Sequence, residues 1–230
     1  MGISKVEPRL RSAFGIKNAL ITLNAPIRSE FSCDYRQMRS VLFFDLEYTA
    51  WEGSMANRWL APGQFREVVQ IGAVKVDAAT LQTIAELDVL IRPRINKELS
   101  AYFEQLTGIT NDALAERGVD FHEGHDRFVA FAEESPIVSF GRDDIVLLHN
   151  AALYGIQDVA PLPRHHNIAV WLRECGVDTR GLHACDLARA CGADFHGREH
   201  DALDDARSLA TAARAMIARG ARNMFLDDAA

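Results

Sequence analysis

The chain has 230 residues, 48% hydrophobic and 25% charged, an ordinary globular balance with length for one full α/β domain and some extension. Its formal net charge of −7 argues against tight, nonspecific coating of long nucleic-acid duplexes, and no apolar stretch approaches the roughly 20 residues that a membrane span needs. Cys33, Cys175, Cys185 and Cys191 form no C-x-x-C pair, so thiols in a reducing, cytoplasmic compartment are expected rather than disulfides, or zinc held by His183 and Cys185.

Residues 1–38 form a weakly patterned extension with a small excess of cations and no clear apolar leader. It reads as a segment packed on the outside of the domain, with a basic arm for nucleic acid as the alternative. The run Val41-Leu42-Phe43-Phe44 opens a buried strand over 41–49. A loop from Trp51 to Gly63 follows, then strands at 68–76 and 84–91 separated by a turn, so the first three strands should form an antiparallel meander. The pattern then turns helical. Helices are expected over 99–106, over 111–117 with Asn111 as N-cap, and over 121–134. A fourth strand at 136–140 leads into a helix at 144–154, and a short fifth strand is expected at 167–170. Helices over 182–191 and 201–218 finish the domain, which spans 39–222, with 223–230 as a tail.

Side chains alternate along a strand, so Asp45 and Glu47 share a face. Two carboxylates beside a buried apolar run repel each other and lose hydration, which is costly unless a cation lies between them. A hard divalent cation such as Mg²⁺ suits oxygen ligands and phosphates alike. Asp143 and Asp144 fall where a strand passes through Gly141 into a helix, and two acids there allow one to cap and the other to bind metal. His200, Asp201, Asp204 and Asp205 crowd the first turn of the last long helix. They either favour the positive end of its dipole or supply a ligand and a base.

Taken together, the strings Asp45-Leu46-Glu47-Tyr48-Thr49, Gly141-Arg142-Asp143-Asp144 and His200-Asp201-Ala202-Leu203-Asp204-Asp205-Ala206 resemble the signatures of the DEDD 3′–5′ exonucleases, in the branch with a catalytic histidine (DEDDh). Glu67–Val74 and Leu106-Thr107-Gly108-Ile109-Thr110 resemble the same family, and the likeness runs from about residue 40 to 217. The stretch Glu47–Gly53 is most similar to the histone-mRNA and RNA-interference exonucleases. The resemblance implies a ribonuclease H-like α/β fold, a mixed five-stranded sheet flanked by helices. It also implies two Mg²⁺ or Mn²⁺ ions held by Asp45, Glu47, Asp144 and Asp205, with Asp45 bridging, and His200 as the base that deprotonates the attacking water. The G-x-x-D signature selects Asp144 over Asp143. Tyr48, Thr49 and Trp51 are expected near the terminal nucleotide, while Arg58 and Trp59 lie in the loop beside the site. The implied activity is release of nucleoside 5′-monophosphates from the 3′ end of single-stranded RNA or 3′ overhangs. A DNA exonuclease and a non-catalytic nucleic-acid scaffold are the alternatives.

Overall fold

The computed structural model describes residues 40–229, so both readings of the 1–38 extension lie outside the described residues. Strands β1 (Ser40–Tyr48), β2 (Val68–Asp77), β3 (Thr83–Leu90), β4 (Ile137–Ser139) and β5 (His165–Asn167) form one sheet in the order β3-β2-β1-β4-β5. β1, β2 and β3 are the expected antiparallel meander, whereas β4 and β5 run parallel to β1 and to each other, which makes the sheet mixed. The helices are α1 (Ser54–Asn57), α2 (Ala101–Thr107), α3 (Asn111–Arg117), α4 (Phe121–Ala132), α5 (Asp143–Leu153), α6 (Ile168–Glu174), α7 (Leu187–Ala190) and α8 (Ala202–Ala218).

The alternation of β1 divides the interior in two. Val41 and Phe43 join a core with residues of α6, α7 and α8, while Leu42, Phe44 and Leu46 join one with residues of α4 and α5. Asp45 and Glu47 continue the first set, so they emerge on the α8 side of the sheet. No helix among the described residues is long and apolar enough to cross a membrane.

Four local expectations change. The fifth strand is His165–Asn167, and the segment expected to be strand at 167–170 instead starts α6, because the Asn167 side chain accepts a hydrogen bond from the Ala169 N–H and caps the helix. The helix expected over 182–191 is broken into a 3₁₀ turn at Ala184–Asp186 and α7. The Ser208 hydroxyl of α8 accepts from the Ala188 N–H at 3.2 Å and donates to the Ala184 carbonyl at 2.8 Å. It stands where a direct helical bond between those two groups would run. Thr110, not Asn111, caps α3, and the Asn111 side chain ties Leu99 to Glu104 instead. The 223–230 tail carries a short 3₁₀ helix whose Phe225 is buried, 5.5 Å from the Phe43 ring and 5.9 Å from Trp171.

Candidate active site

Two residues of β2 set the geometry. Gly72 faces Asp45 across the β1–β2 ladder, and a Cβ built there would lie 2.1 Å from backbone atoms of Ala202 and Leu203. Only a glycine lets the first turn of α8 rest on the sheet this closely. Gln70, opposite Glu47 in the same ladder, accepts a hydrogen bond from the Ala202 N–H at 3.0 Å and donates to Asp88 at 2.9 Å. Asp201 caps α8 by accepting from the Leu203 and Asp204 N–H groups. Asp205, on the sheet-facing side of that first turn, is thereby brought to the strand acids. Carboxylate oxygens of Asp45, Glu47 and Asp205 lie within 4.8 Å of one another.

The protein supplies little to offset that crowding. Asp205 Oδ1 is buried without a hydrogen-bond partner among the described residues. Burial, then the neighbouring Asp143, Asp205 and Glu47 charges, push Asp45 well above the usual carboxylate range. Burial and then Asp205, Asp201 and Asp143 do the same to Glu47. Asp205 is raised to about 7, first by burial and then by the acids around it. An orphaned carboxylate oxygen beside two further carboxylates is a donor set for a hard divalent cation.

The acids at the start of α5 are divided differently from the sequence expectation. Asp143 lines the same cavity as Asp45, Glu47 and Asp205, and burial raises it to about 7. Asp144, the residue selected by the G-x-x-D signature, faces away. Its carboxylate takes two hydrogen bonds from the Arg142 guanidinium, at 2.9 and 2.8 Å, and lies 3.4 Å from His165 Nδ1. Burial opposes the charge on Asp144, but Arg142 and His165 outweigh it and hold the carboxyl below its ordinary value. His165 Nε2 is 2.9 Å from the Ser139 hydroxyl, which in turn reaches Asp143. One line of polar groups thus runs from Arg142 through Asp144, His165 and Ser139 to Asp143. The register of His165 on the edge strand β5, beside β4, is what gives it this place.

His200 has φ +59°, a left-handed conformation uncommon outside glycine. Its half-buried side chain lines the cavity, 3.6 Å from Glu199 and with its ring 5.8 Å from that of His183. Burial lowers its pKa, against the opposing pull of Glu199. Its ring nitrogens group with those of His183 and with Glu199 rather than with the three carboxylates, so the imidazole lines the cavity apart from the acidic set.

The cavity measures about 560 Å³. Tyr48 and Trp51 line it, as does Phe140. Burial, with Asp143 next, raises the Tyr48 hydroxyl to about 12, so it stays protonated. Thr49 is used otherwise: its buried hydroxyl donates to the Phe65 carbonyl and accepts from the Glu67 N–H at 3.0 Å, tying the end of β1 to the loop before β2. Tyr102, Phe103 and Leu106 of α2 form another wall, and the Thr107 side chain closes the turn after it by accepting from the Ile109 N–H. Cys185, close to the acids, is raised to about 12 by burial and then Asp205, which keeps it a thiol.

Residues 42–213 match the family model RNase_T, described as an exonuclease. Solved structures share the fold. The nuclease domain of 3′hExo, a DEDDh family member bound to rAMP, superposes with a TM-score of 0.68 at 22% identity, over 81% of this chain and 95% of that one. The cell-death related nuclease CRN-4 gives 0.64 at 20% identity, over 80% of this chain and 65% of that one. The zinc-bound E. coli ExoI–ssDNA complex gives 0.60 at 17% identity, over 81% of this chain and 42% of that one. No curated protein matches the chain.

Proposed function

We propose, starting from the fact that this chain belongs to the RNase_T exonuclease family, that it is a DEDDh-type 3′–5′ exonuclease acting on single-stranded RNA or 3′ overhangs, with two Mg²⁺ or Mn²⁺ ions as cofactors. The observation that carries the reading is the convergence of Asp45, Glu47 and Asp205, with one Asp205 oxygen buried and unpartnered.

Asp45, Glu47, Asp205 and Asp143 would hold the cations, with Asp143 in the place that the sequence motif gave to Asp144. Cations bound there would offset the charge of the scissile phosphate and acidify the attacking water. His200, neutral near pH 7, accepts the proton from that water. Tyr48 and Trp51 border the cavity where the terminal nucleotide would lie, and the tyrosine hydroxyl can donate to it. Asp144 works through His165 and Ser139, holding Asp143 in its orientation. The product is a nucleoside 5′-monophosphate. The RNA preference rests on the likeness of Glu47–Gly53 to RNA-directed members of the family, and a DNA substrate is the alternative that the same assay separates.

Labelled RNA, DNA and duplex oligonucleotides incubated with Mg²⁺, Mn²⁺ or chelator test the whole reading. Expected is a ladder shortening from the 3′ end, fastest on unpaired RNA and absent in chelator. Full activity in chelator, or cleavage of a circular strand, would overturn it.

A further inference from the structure

A second cavity of about 600 Å³ opens beside the acidic one, within the roughly 300–1,000 Å³ typical of ligand sites. Met55 and Trp59 line both, so the two cavities share a wall. Their charges are opposite. The acidic cavity is faced by Asp45, Glu47, Asp143 and Asp205, whereas the second is lined by Arg58, Arg66 and His149 and by no carboxylate. In a chain of net charge −7 this is a local reversal of sign. The Arg66 guanidinium lies 5.3 Å from the Tyr48 ring centroid and 5.4 Å from that of Trp59, a position that the two aromatic faces favour for a cation. Apolar surface is open here as well: Met55 is 71% exposed and Phe65 39%.

Cations beside exposed aromatic and thioether groups match the two parts of a nucleotide, phosphate and base face. We propose that the second cavity seats the nucleotide on the 5′ side of the scissile phosphate, with its backbone phosphate toward Arg58 and Arg66 and its base against Phe65 and Trp59. This deepens the exonuclease reading and rests on it. A strand with its last nucleotide in the acidic cavity passes over the shared Met55–Trp59 wall into the cationic one. A base that enters such a cavity must be unpaired, so the ligand is single-stranded nucleic acid, gripped over at least two nucleotides.

The test uses Arg58→Glu combined with His149→Glu, both at exposed positions away from the acids. Two substrates are compared: an unstructured 5′-labelled oligonucleotide, and the p-nitrophenyl ester of thymidine 5′-monophosphate, whose leaving group brings neither a second phosphate nor a base to the second cavity. The double variant should raise KM for the oligonucleotide about tenfold or more and leave kcat/KM for the ester within about twofold. An unchanged oligonucleotide KM, or an equal fall on both substrates, would overturn the proposal. Should the unsubstituted protein hydrolyse neither substrate, the exonuclease reading fails first. Fluorescence anisotropy of the labelled oligonucleotide then decides the cavity separately: the variant should bind more weakly, with a salt slope shallower by about 0.7 for each lost phosphate contact. Identical binding and slope would sink the proposal.

Discussion

Asp143→Asn and Asp144→Asn separate two adjacent carboxylates by their surroundings. Asp143 faces the other acids of the cavity, and Asp144 is held by Arg142 and His165. Asp144→Asn should slow turnover by roughly 10–100-fold, the usual worth of a group that orients a ligand, and Asp143→Asn by more. Steady-state rates on one oligonucleotide check both; the reverse order would return the ligand role to Asp144. His200→Ala should cut turnover by about 10²–10⁴ and remove the acid limb of the pH–rate profile, while cation binding measured by calorimetry stays nearly intact. A retained acid limb would mean that another group accepts the proton. At this scale the sequence shows two carboxylates at the start of α5, and its motif selects Asp144, but it does not show that Asp143 is the one lining the cavity. One residue along a helix turns a side chain by about 100°, and the choice depends on His165, a residue 26 positions away from Ser139 in the chain. The role of Thr49 was hidden for the same kind of reason, since its hydroxyl is taken by Phe65 and Glu67 across the loop.

The decisive element is α8, and its seat is Gly72. Gly72→Ala places a methyl group against the Ala202–Leu203 backbone, so the helix must lift. Overpacking of this kind costs about 1–3 kcal/mol, seen as a lower midpoint in denaturant. The same displacement carries Asp205 away from Asp45 and should weaken cation binding more than thermal stability alone would suggest. Unchanged cation affinity would mean that the helix is positioned by something other than contact with the sheet. The meander β1–β3 and α8 could be read from the sequence because apolar periodicity and turn residues agree there. α6 and the broken segment before α7 could not. The start of α6 rests on one local cap, Asn167 accepting from the Ala169 N–H, inside an apolar run that also suits a strand, and the broken segment depends on the Ser208 hydroxyl reaching across from α8 to Ala184 and Ala188.

For the whole molecule, the raised acids make stability depend on pH in a definite direction. Asp143 and Asp205 titrate at about 7 in the folded chain, against roughly 3.9 for a free aspartate. Between those values the folded chain binds more protons than the unfolded one. Their contribution to stability in chelator should therefore fall as pH rises from about 4 to about 7, with the raised Asp45 and Glu47 acting in the same direction and the lowered His125, His165 and His200 in the opposite one. Scanning calorimetry should find Tm lower at pH 8 than at pH 5.5 by at least about 2–4 °C, and Mg²⁺ should raise the pH 8 value more. Equal midpoints with no cation response would contradict the crowded-acid reading. The hydrogen bond from Ala202 to Gln70 joins positions 132 apart, and Asp205 lies beyond it. A chain emerging from the ribosome thus carries Asp45 and Glu47 long before it carries the helix that completes their set. Until that last long helix docks, the growing polypeptide holds two carboxylates of a set that needs the third: synthesis order itself delays the site.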